Sequence, residues 1–232
     1  MKITERIKNE LSDFNKLEIF VLIFTFVAIT FNAIVLRDSF PAIISAICGI
    51  LYTITAGKGK FYCYIIGLCG TACYSYIAFK NLLYGNCLLY LCYFAPLQII
   101  GFFSWRKHLK ERSCEIIKSK LSNKNLLICI LILLLGITIC YFILRYYNDS
   151  NPIIDAITTF SSFVAMYLTV KRCFEQWILW FIVNILSFIM WLNVALQGVN
   201  VYSTLVMWGV YTILAIYFAI MWQKEISEQK VS

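Results

Sequence analysis

The stretch 125–145 reads NLLICILILLLGITICYFILR and carries a single charge, on its last residue. About 20 consecutive apolar residues are enough for a helix to cross a bilayer. The apolar residues follow one another without alternating with polar ones, which excludes a strand of a membrane β-barrel. Runs of this kind fill most of the 232 residues, of which 61% are hydrophobic and only 14% charged. This composition excludes a soluble globular fold.

Further apolar runs flank this one, and together they predict an all-α integral membrane protein with eight transmembrane helices. The predicted helices cover residues 17–36, 40–56, 61–79, 83–104, 125–145, 153–170, 174–196 and 203–222. The first run has no small-residue cleavage site and is therefore interpreted as a retained helix and not as a secretory signal. Ahead of it, apolar residues at helical spacing predict a short helix on the membrane surface, with a frayed polar tail as the alternative. These residues are Ile3, Ile7, Leu11 and Phe14.

The lysines and arginines lie almost entirely on one side of this arrangement. If the eight helices alternate in direction, the other side receives only Arg37, Lys80 and Arg145. Basic loops remain in the cytoplasm, so both termini and the long loop 105–124 are predicted to be cytoplasmic. The net charge of +8 follows from this topology. The basic residues are divided among short loops without interleaved aromatic residues, which argues against a nucleic-acid interface.

The two flanks of run 125–145 resemble each other at an offset of about 117 residues. The matches that bracket them are Asp38 with Asp155 and Trp105 with Trp222, and each flank has a basic turn after its first helix. The pattern predicts two three-helix units that point the same way across the membrane, joined by one linker helix and preceded by one extra helix. Parallel repeats of this kind form transporters whose substrate site lies near the midplane between the halves.

This repeat divides the chain into five predicted parts. Residues 1–36 hold the surface helix and the extra transmembrane helix, and residues 37–105 form the first three-helix unit. Residues 106–145 hold the basic loop and the linker helix. The second three-helix unit covers residues 146–222, and residues 223–232 form a cytoplasmic tail.

One face of the helix predicted at 174–196 is both aromatic and polar. Five of its residues fall within an arc of roughly 80° at helical spacing: Trp177, Trp180, Asn184, Ser187 and Trp191. Indole rings can stack on a flat heteroaromatic base, and an amide and a hydroxyl can hydrogen-bond to a base or a sugar. The alternative is that Trp177 and Trp191 are interfacial residues and that the polar side chains bond to neighbouring helices. For Trp180 and Asn184, which lie deeper, the pattern favours a cavity.

The first unit offers two further candidate features. The residues that match the aromatic face at the 117-residue offset are almost without bulky side chains, which allows either close helix packing or room for a ligand. They are Lys60, Cys63, Gly67, Gly70 and Tyr74. The helix predicted at 83–104 contains Tyr93, Pro96 and Gln98. An amide at this depth is costly without a partner or a wet cavity, so Gln98 either contacts substrate or makes a structural hydrogen bond.

Residues for catalysis or ion coupling are missing from the sequence. The predicted helices have no charged residue or histidine deep in the membrane, where a proton relay or sodium site would need one. None of the ten cysteines lies in a Cys-x-x-Cys pair, and no hydrolase or phosphate-binding motif is present. No catalytic residue, metal or cofactor is therefore predicted. A membrane receptor that binds without transporting remains the alternative to a carrier.

Several of these residues form a pattern that resembles a known family. The first half contains Gly57-Lys-Gly-Lys, Tyr84-Gly-Asn, Tyr93, Gln98-x-x-Gly101 and Trp105. The second half contains Glu175-x-Trp177-x-x-Trp180-x-x-x-Asn184-x-x-Ser187, Tyr202 and Trp222. Over nearly the whole chain the pattern resembles the PnuC family of bacterial vitamin transporters. It departs from the family at Ala219 and Ile220, where a glycine often precedes the terminal tryptophan.

The resemblance implies a fold related to the SWEET sugar transporters and a homotrimer among the lipids of the bacterial cytoplasmic membrane. It implies facilitated uptake of nicotinamide riboside, followed by trapping of the substrate by a cytosolic riboside kinase. Gln98, Trp180 and Asn184 would help to hold the substrate, and Trp177, Ser187 and Tyr93 are the further candidates. Relatives in this family carry thiamine, which is the alternative substrate.

Overall fold

The structure, a computed structural model, describes residues 15–36, 40–80, 84–109, 115–148, 151–198 and 202–229. The helices in these residues are α1 (Lys16–Leu36), α2 (Phe40–Gly57), α3 (Cys63–Lys80), α4 (Tyr84–Leu89), α5 (Ala95–Arg106), α6 (Asn123–Tyr146), α7 (Pro152–Val170), α8 (Gln176–Leu196) and α9 (Tyr202–Gln229). A π-helical turn, Tyr90–Phe94, joins α4 to α5 in one rod. The described residues thus form eight rods, one at each predicted helix. The predicted surface helix and Asp38 lie outside the described residues.

Five of the rods are long and apolar enough to cross a membrane: Cys87–Arg106, Asn123–Tyr146, Pro152–Val170, Gln176–Asn193 and Leu205–Gln229. Among the described residues, shorter apolar helices cover Glu18–Ala28, Ile43–Gly57 and Cys63–Ile77. Large apolar side chains face outward, as on α6, where Leu135 is 63% and Phe142 is 62% exposed. An apolar surface of this extent around long apolar helices is typical of a protein embedded in lipid. An all-α membrane protein is therefore confirmed.

The π-helical turn ends two residues before the proline of the α4–α5 rod. Pro96 has no backbone N–H to donate to the preceding turn. Ahead of it the helix widens, and the N–H of Ala95 donates to the carbonyl of Tyr90, five residues earlier. Such an insertion rotates the residues on either side relative to each other. The rod can therefore direct Tyr93 towards α7 and Gln98 towards α3.

The helices pack as two groups of three. In the first unit α2 packs on α3 and α3 packs on the α4–α5 rod, and in the second unit α8 lies between α7 and α9. Among the described helices, the units meet mainly where α5 packs on α7 and where α9 packs on α2. The third helix of each unit thus packs on the first helix of the other. The linker α6 packs on α7, and α1 packs on both α2 and α9.

Two tryptophans at matching positions make the same cross-unit bond. Nε1 of Trp105 donates to the carbonyl oxygen of Thr169 at 2.9 Å, and Nε1 of Trp222 donates to that of Gly57 at 2.5 Å. Both side chains are fully buried. Tyr64 lies edge-on to Trp105, and Trp177 lies edge-on to Trp222. The terminal tryptophan of each unit therefore fastens that unit to the end of the other unit's first helix.

The turns that follow the first helices show that the repeat has a different register. Gly59 (φ 72°) and Arg172 (φ 62°) both have left-handed backbone, and residue 172 lies 113 positions after residue 59. The next residue in each turn closes the same bond, from Lys60 N to Thr55 O at 2.9 Å and from Cys173 N to Leu168 O at 3.0 Å. The terminal tryptophans, by contrast, are 117 positions apart. The prediction of one gapless offset is therefore wrong, because the second unit has extra residues between its turn and its tryptophan.

The corrected register changes which residues of the two units correspond. The first-unit counterparts of Trp177, Trp180, Asn184 and Ser187 are Tyr64, Gly67, Thr71 and Tyr74. The face predicted from Lys60 to Tyr74 at the larger offset is therefore not the structural match of the aromatic face.

A short segment of the basic loop, which we call the strap (residues 115–121), lies across both turns. The N–H of Ile116 donates to the carbonyl of Gly59, and the N–H of Ser119 donates to that of Arg172, each at 2.9 Å. Lys118 pairs with Glu225 of α9 at 2.5 Å, and its ammonium lies 5.1 Å from the ring centroid of Trp222. The strap therefore ties together the two units at the end where the tryptophans lie.

A buried ion pair holds α1 against the same end. Glu18 is 1% exposed, and its Oε2 lies 2.8 Å from Nζ of Lys58 in the α2–α3 turn. The same carboxylate accepts from the backbone N–H of Asn15 at 2.9 Å and from the hydroxyl of Tyr217 at 3.3 Å. Three partners offset the cost of desolvating the charge. Through Glu18 the extra helix is anchored to both units.

Candidate functional site

Trp180 lies near the contact between the two units. Its ring is half-buried and packs against both hydrophobic cores of the described residues. Its Nε1 donates to Oγ1 of Thr169 at 3.3 Å, while the carbonyl of Thr169 accepts from Trp105. One residue of α7 thus fixes an indole from each unit. Trp180 has a defined orientation and a partly uncovered ring.

Asn184 and Ser187 lie one and two turns further along the same face of α8. They are 7% and 6% exposed, yet neither side chain forms a hydrogen bond to any other residue in the described part of the chain. The fully buried side-chain atoms without a partner belong to other described residues, such as Tyr64, Gln176 and Trp177, so the polar atoms of Asn184 and Ser187 remain slightly accessible. These two groups therefore have bonding capacity available for a ligand.

Gln98 has a partner on a neighbouring helix. Its carboxamide, 6% exposed, lies against Thr71 of α3, with Oγ1 of Thr71 3.0 Å from Nε2 and 3.2 Å from Oε1. The structural hydrogen bond that the sequence left open is therefore present. It does not exclude a contact between Gln98 and the substrate. A carboxamide has two N–H donors and a carbonyl acceptor, and a single hydroxyl cannot bond to all of them.

Tyr93 connects the two units. Its hydroxyl donates to the carbonyl oxygen of Phe163 in α7 at 2.6 Å, and the two rings meet edge-on with centroids 4.5 Å apart. The carbonyls of a regular helix are normally occupied by their own turn, so this bond is an additional one. Tyr93 thus holds the α4–α5 rod on α7, at a point further from the C-terminal end of α7 than the tryptophan contacts.

Trp177 is placed in the packing between α8 and α9. It is 4% exposed, and its ring lies 5.3 Å from that of Phe218 and 5.8 Å from that of Trp222. The interfacial belt proposed as its alternative role would leave the ring partly exposed. The structure instead shows a core residue that supports the Trp222 bond.

Sequence reasoning missed two residues next to this region. Thr71 was not singled out, because its importance depends on Gln98, which is distant in sequence. Tyr52 of α2 packs edge-on to Tyr64, and its hydroxyl lies 3.8 Å from Sδ of Met166 in α7. The 113-residue register would have pointed to Thr71, since it is the counterpart of Asn184.

Comparison with known proteins identifies the family. A family model described as nicotinamide mononucleotide transporter matches residues 39–224. The nicotinamide riboside transporter PnuC of Neisseria mucosa is 32% identical over 192 residues, which are 81% of this chain and 73% of that protein. The chain belongs to the PnuC family.

Other PnuC proteins match over almost the full length. The nicotinamide riboside transporter PnuC of Haemophilus influenzae is 27% identical and covers 97% of both chains. A crystal structure of the vitamin B3 transporter PnuC superposes with a TM-score of 0.80 at 27% identity, over 98% of this chain and 99% of that one. The chain is therefore a multi-pass membrane transporter with the PnuC fold, and its named relatives are transporters.

Proposed function

We propose that the chain carries nicotinamide riboside across the bacterial cytoplasmic membrane. The observation that carries this proposal is the placement of Trp180 and Asn184 one turn apart on the same face of α8. The indole of Trp180 is partly uncovered, and the amide of Asn184 forms no hydrogen bond to any described residue. A heteroaromatic base joined to a sugar needs both a stacking surface and a polar partner. The named PnuC relatives transport this riboside.

The charge of the substrate agrees with the composition of the helices. The nicotinamide ring of the riboside is a pyridinium cation, which an indole face can hold by a cation–π contact without a counter-carboxylate. Helices α2 and α8 contain no charged residue, and α7 contains only Asp155, at its first turn. A phosphorylated substrate such as the mononucleotide would need a lysine or arginine in the membrane-embedded site. The riboside therefore fits better than the mononucleotide.

Thiamine stays the alternative substrate. Its thiazolium ring is also a cation that indoles can hold, and its aminopyrimidine can bond to an amide. We assign Trp180, Asn184, Ser187 and Gln98 to direct contact with the substrate. Tyr93 would support this site through its hydrogen bond to the α7 backbone, and Trp177 would support it by packing against Trp222.

The transport mechanism follows from the arrangement of the units. We propose that eight helices cross the membrane as one extra helix and a parallel three-plus-one-plus-three repeat, with the substrate between the units. The units would rock about the contacts of α5 with α7 and of α9 with α2. Passive alternating access, a homotrimer embedded in lipid and trapping by a cytosolic riboside kinase complete the proposal.

Uptake into proteoliposomes tests the proposed mechanism. We expect nicotinamide riboside to equilibrate without a proton or sodium gradient, because no carboxylate deep in the membrane is available to couple one. The voltage must be clamped, since a membrane potential alone biases the distribution of a cation. Accumulation far above the outside concentration that an ionophore collapses would contradict passive transport. Tight binding of thiamine without binding of the riboside would keep the carrier and replace its substrate.

A topology map tests the proposed orientation. Reporter fusions or cysteine accessibility should place both termini and loop 105–124 in the cytoplasm, because the basic residues are concentrated there. A fusion between α6 and α7 should report the opposite side. An external C-terminus would be incompatible with eight alternating spans.

A further inference from the structure

Gln98 and Thr71 form an isolated buried pair inside the first unit. Thr71 is 5% exposed and Gln98 6%, and no other residue in the described segments hydrogen-bonds to either side chain. A single hydroxyl can give one hydrogen and accept at its lone pairs. Whichever half of the carboxamide Thr71 engages, the other half retains donors or acceptors without a partner.

Gly67 provides the space in which this carboxamide lies. It precedes Thr71 by one helical turn on α3, so the two residues share a face. A Cβ atom at Gly67 would lie 3.2 Å from Nε2 of Gln98 and 2.8 Å from Cδ2 of Tyr52. A side chain at this position would therefore displace the amide or the tyrosine ring. Gly67 and Thr71 together fix where the Gln98 carboxamide lies.

The corrected repeat gives this pair its significance. Gly67 and Thr71 are the counterparts of Trp180 and Asn184, and Ala215 is the counterpart of Gln98 at the offset of the terminal tryptophans. In the second unit α8 thus supplies the indole and the amide itself, opposite an alanine. In the first unit α3 has only a glycine and a hydroxyl at these positions. The carboxamide of Gln98, from α5, occupies the space that the glycine leaves.

We propose that Thr71 is a positioning residue, which holds the Gln98 carboxamide so that its remaining donor or acceptor faces the polar edge of the substrate base. The inference rests on the proposed function, since it takes Gln98 as a substrate contact. Without Thr71 the glutamine side chain must be ordered when the substrate binds. Immobilising such a side chain costs roughly two- to tenfold in affinity.

The first test is calorimetric titration of the purified full chain with nicotinamide riboside. We expect Thr71→Val to raise the Kd by roughly five- to tenfold, on the scale of one lost hydrogen bond. Thr71→Ser keeps the hydroxyl and should restore the Kd to within about twofold of wild type. Thr138→Val is the matched control, because Thr138 bonds only to the Leu134 carbonyl on the exposed linker helix.

A double-mutant cycle separates positioning from general packing. If Thr71 acts through Gln98, Thr71→Val should have no further effect on the Kd in a Gln98→Leu background. An equal additional loss in that background would overturn the inference. If Thr71→Val does not fold, Thr71→Ala replaces it in the same cycle, since it removes the hydroxyl without adding a branched side chain.

The outcomes distinguish this inference from the function on which it rests. Wild-type binding that Gln98→Leu weakens and Thr71→Val leaves unchanged would overturn the positioning role alone. Absence of riboside binding by the wild type would overturn the proposed function and the inference with it. Unchanged binding in Gln98→Leu would remove Gln98 from the site, and Thr71 with it.

Discussion

Trp180→Ala is expected to weaken binding of nicotinamide riboside by about 1–3 kcal/mol, the scale of one lost base-stacking contact. The ring is partly uncovered and is held in place by Thr169, so its stacking surface is ordered before the substrate arrives. Trp180→Phe keeps an aromatic face but loses the bond to Thr169, and its loss should be smaller. The measurement is isothermal titration of the purified protein.

Asn184→Leu, measured in the same titrations, should cost a similar amount. It removes the amide without opening a cavity, so the loss reports a substrate group left unpaired, at about 1–3 kcal/mol. Trp191→Ala is the control, because this tryptophan lies near the far end of α8 and should leave the affinity nearly unchanged. If Trp180→Ala and Asn184→Leu both bind the substrate as tightly as wild type does, this face of α8 serves only in helix packing. Thiamine binding that is lost in the same variants would retain the site and change the substrate.

The largest expected effect on stability is that of Lys58→Met. This change leaves the carboxylate of Glu18, which is 1% exposed, without its cationic partner. Removing one member of a buried ion pair costs about 3–5 kcal/mol, because the other charge stays desolvated. The remaining bonds from Asn15 and Tyr217 place the expected loss at the lower end of this range. Thermal unfolding in detergent should show an apparent midpoint lower by roughly 5–15 °C.

Two further variants make this result specific. Glu18→Gln combined with Lys58→Met removes both charges and should recover part of the lost stability. Lys224→Met removes an exposed lysine at the same end of the protein and should change the midpoint little. A midpoint for Lys58→Met that matches Lys224→Met would show that the pair does not anchor α1.

The helices and their membrane environment could be read from the sequence, because long apolar runs such as 125–145 have one stable arrangement in a bilayer. The face that carries Trp180 and Asn184 was also predictable, since helical periodicity alone places residues on one side. The partners of that face were not. Trp177 shares it, yet packs on Trp222, because the position of a neighbouring helix depends on contacts across the whole chain.

The register of the repeat was mispredicted for a related reason. Offsets of 113 and 117 differ by four residues, which is close to one helical turn, so both keep nearly the same residues on a given face. Only the backbone of the turns separates them, through the left-handed conformations of Gly59 and Arg172. Arginine in that conformation gives no sequence signal, whereas glycine does. The same four-residue difference kept Thr71 from being recognised as the counterpart of Asn184, so its pairing with Gln98 was not predicted.

Neither three-helix unit can complete its own terminal bonding. The indole of Trp105 finds its acceptor on α7, and the indole of Trp222 finds its acceptor at the end of α2. A half expressed alone would bury an indole N–H without a partner unless a second copy of that half supplied the carbonyl. Because the two bonds are reciprocal, each unit supplies the acceptor for the other unit's terminal indole, and the two units are mutually dependent for a fully bonded interface.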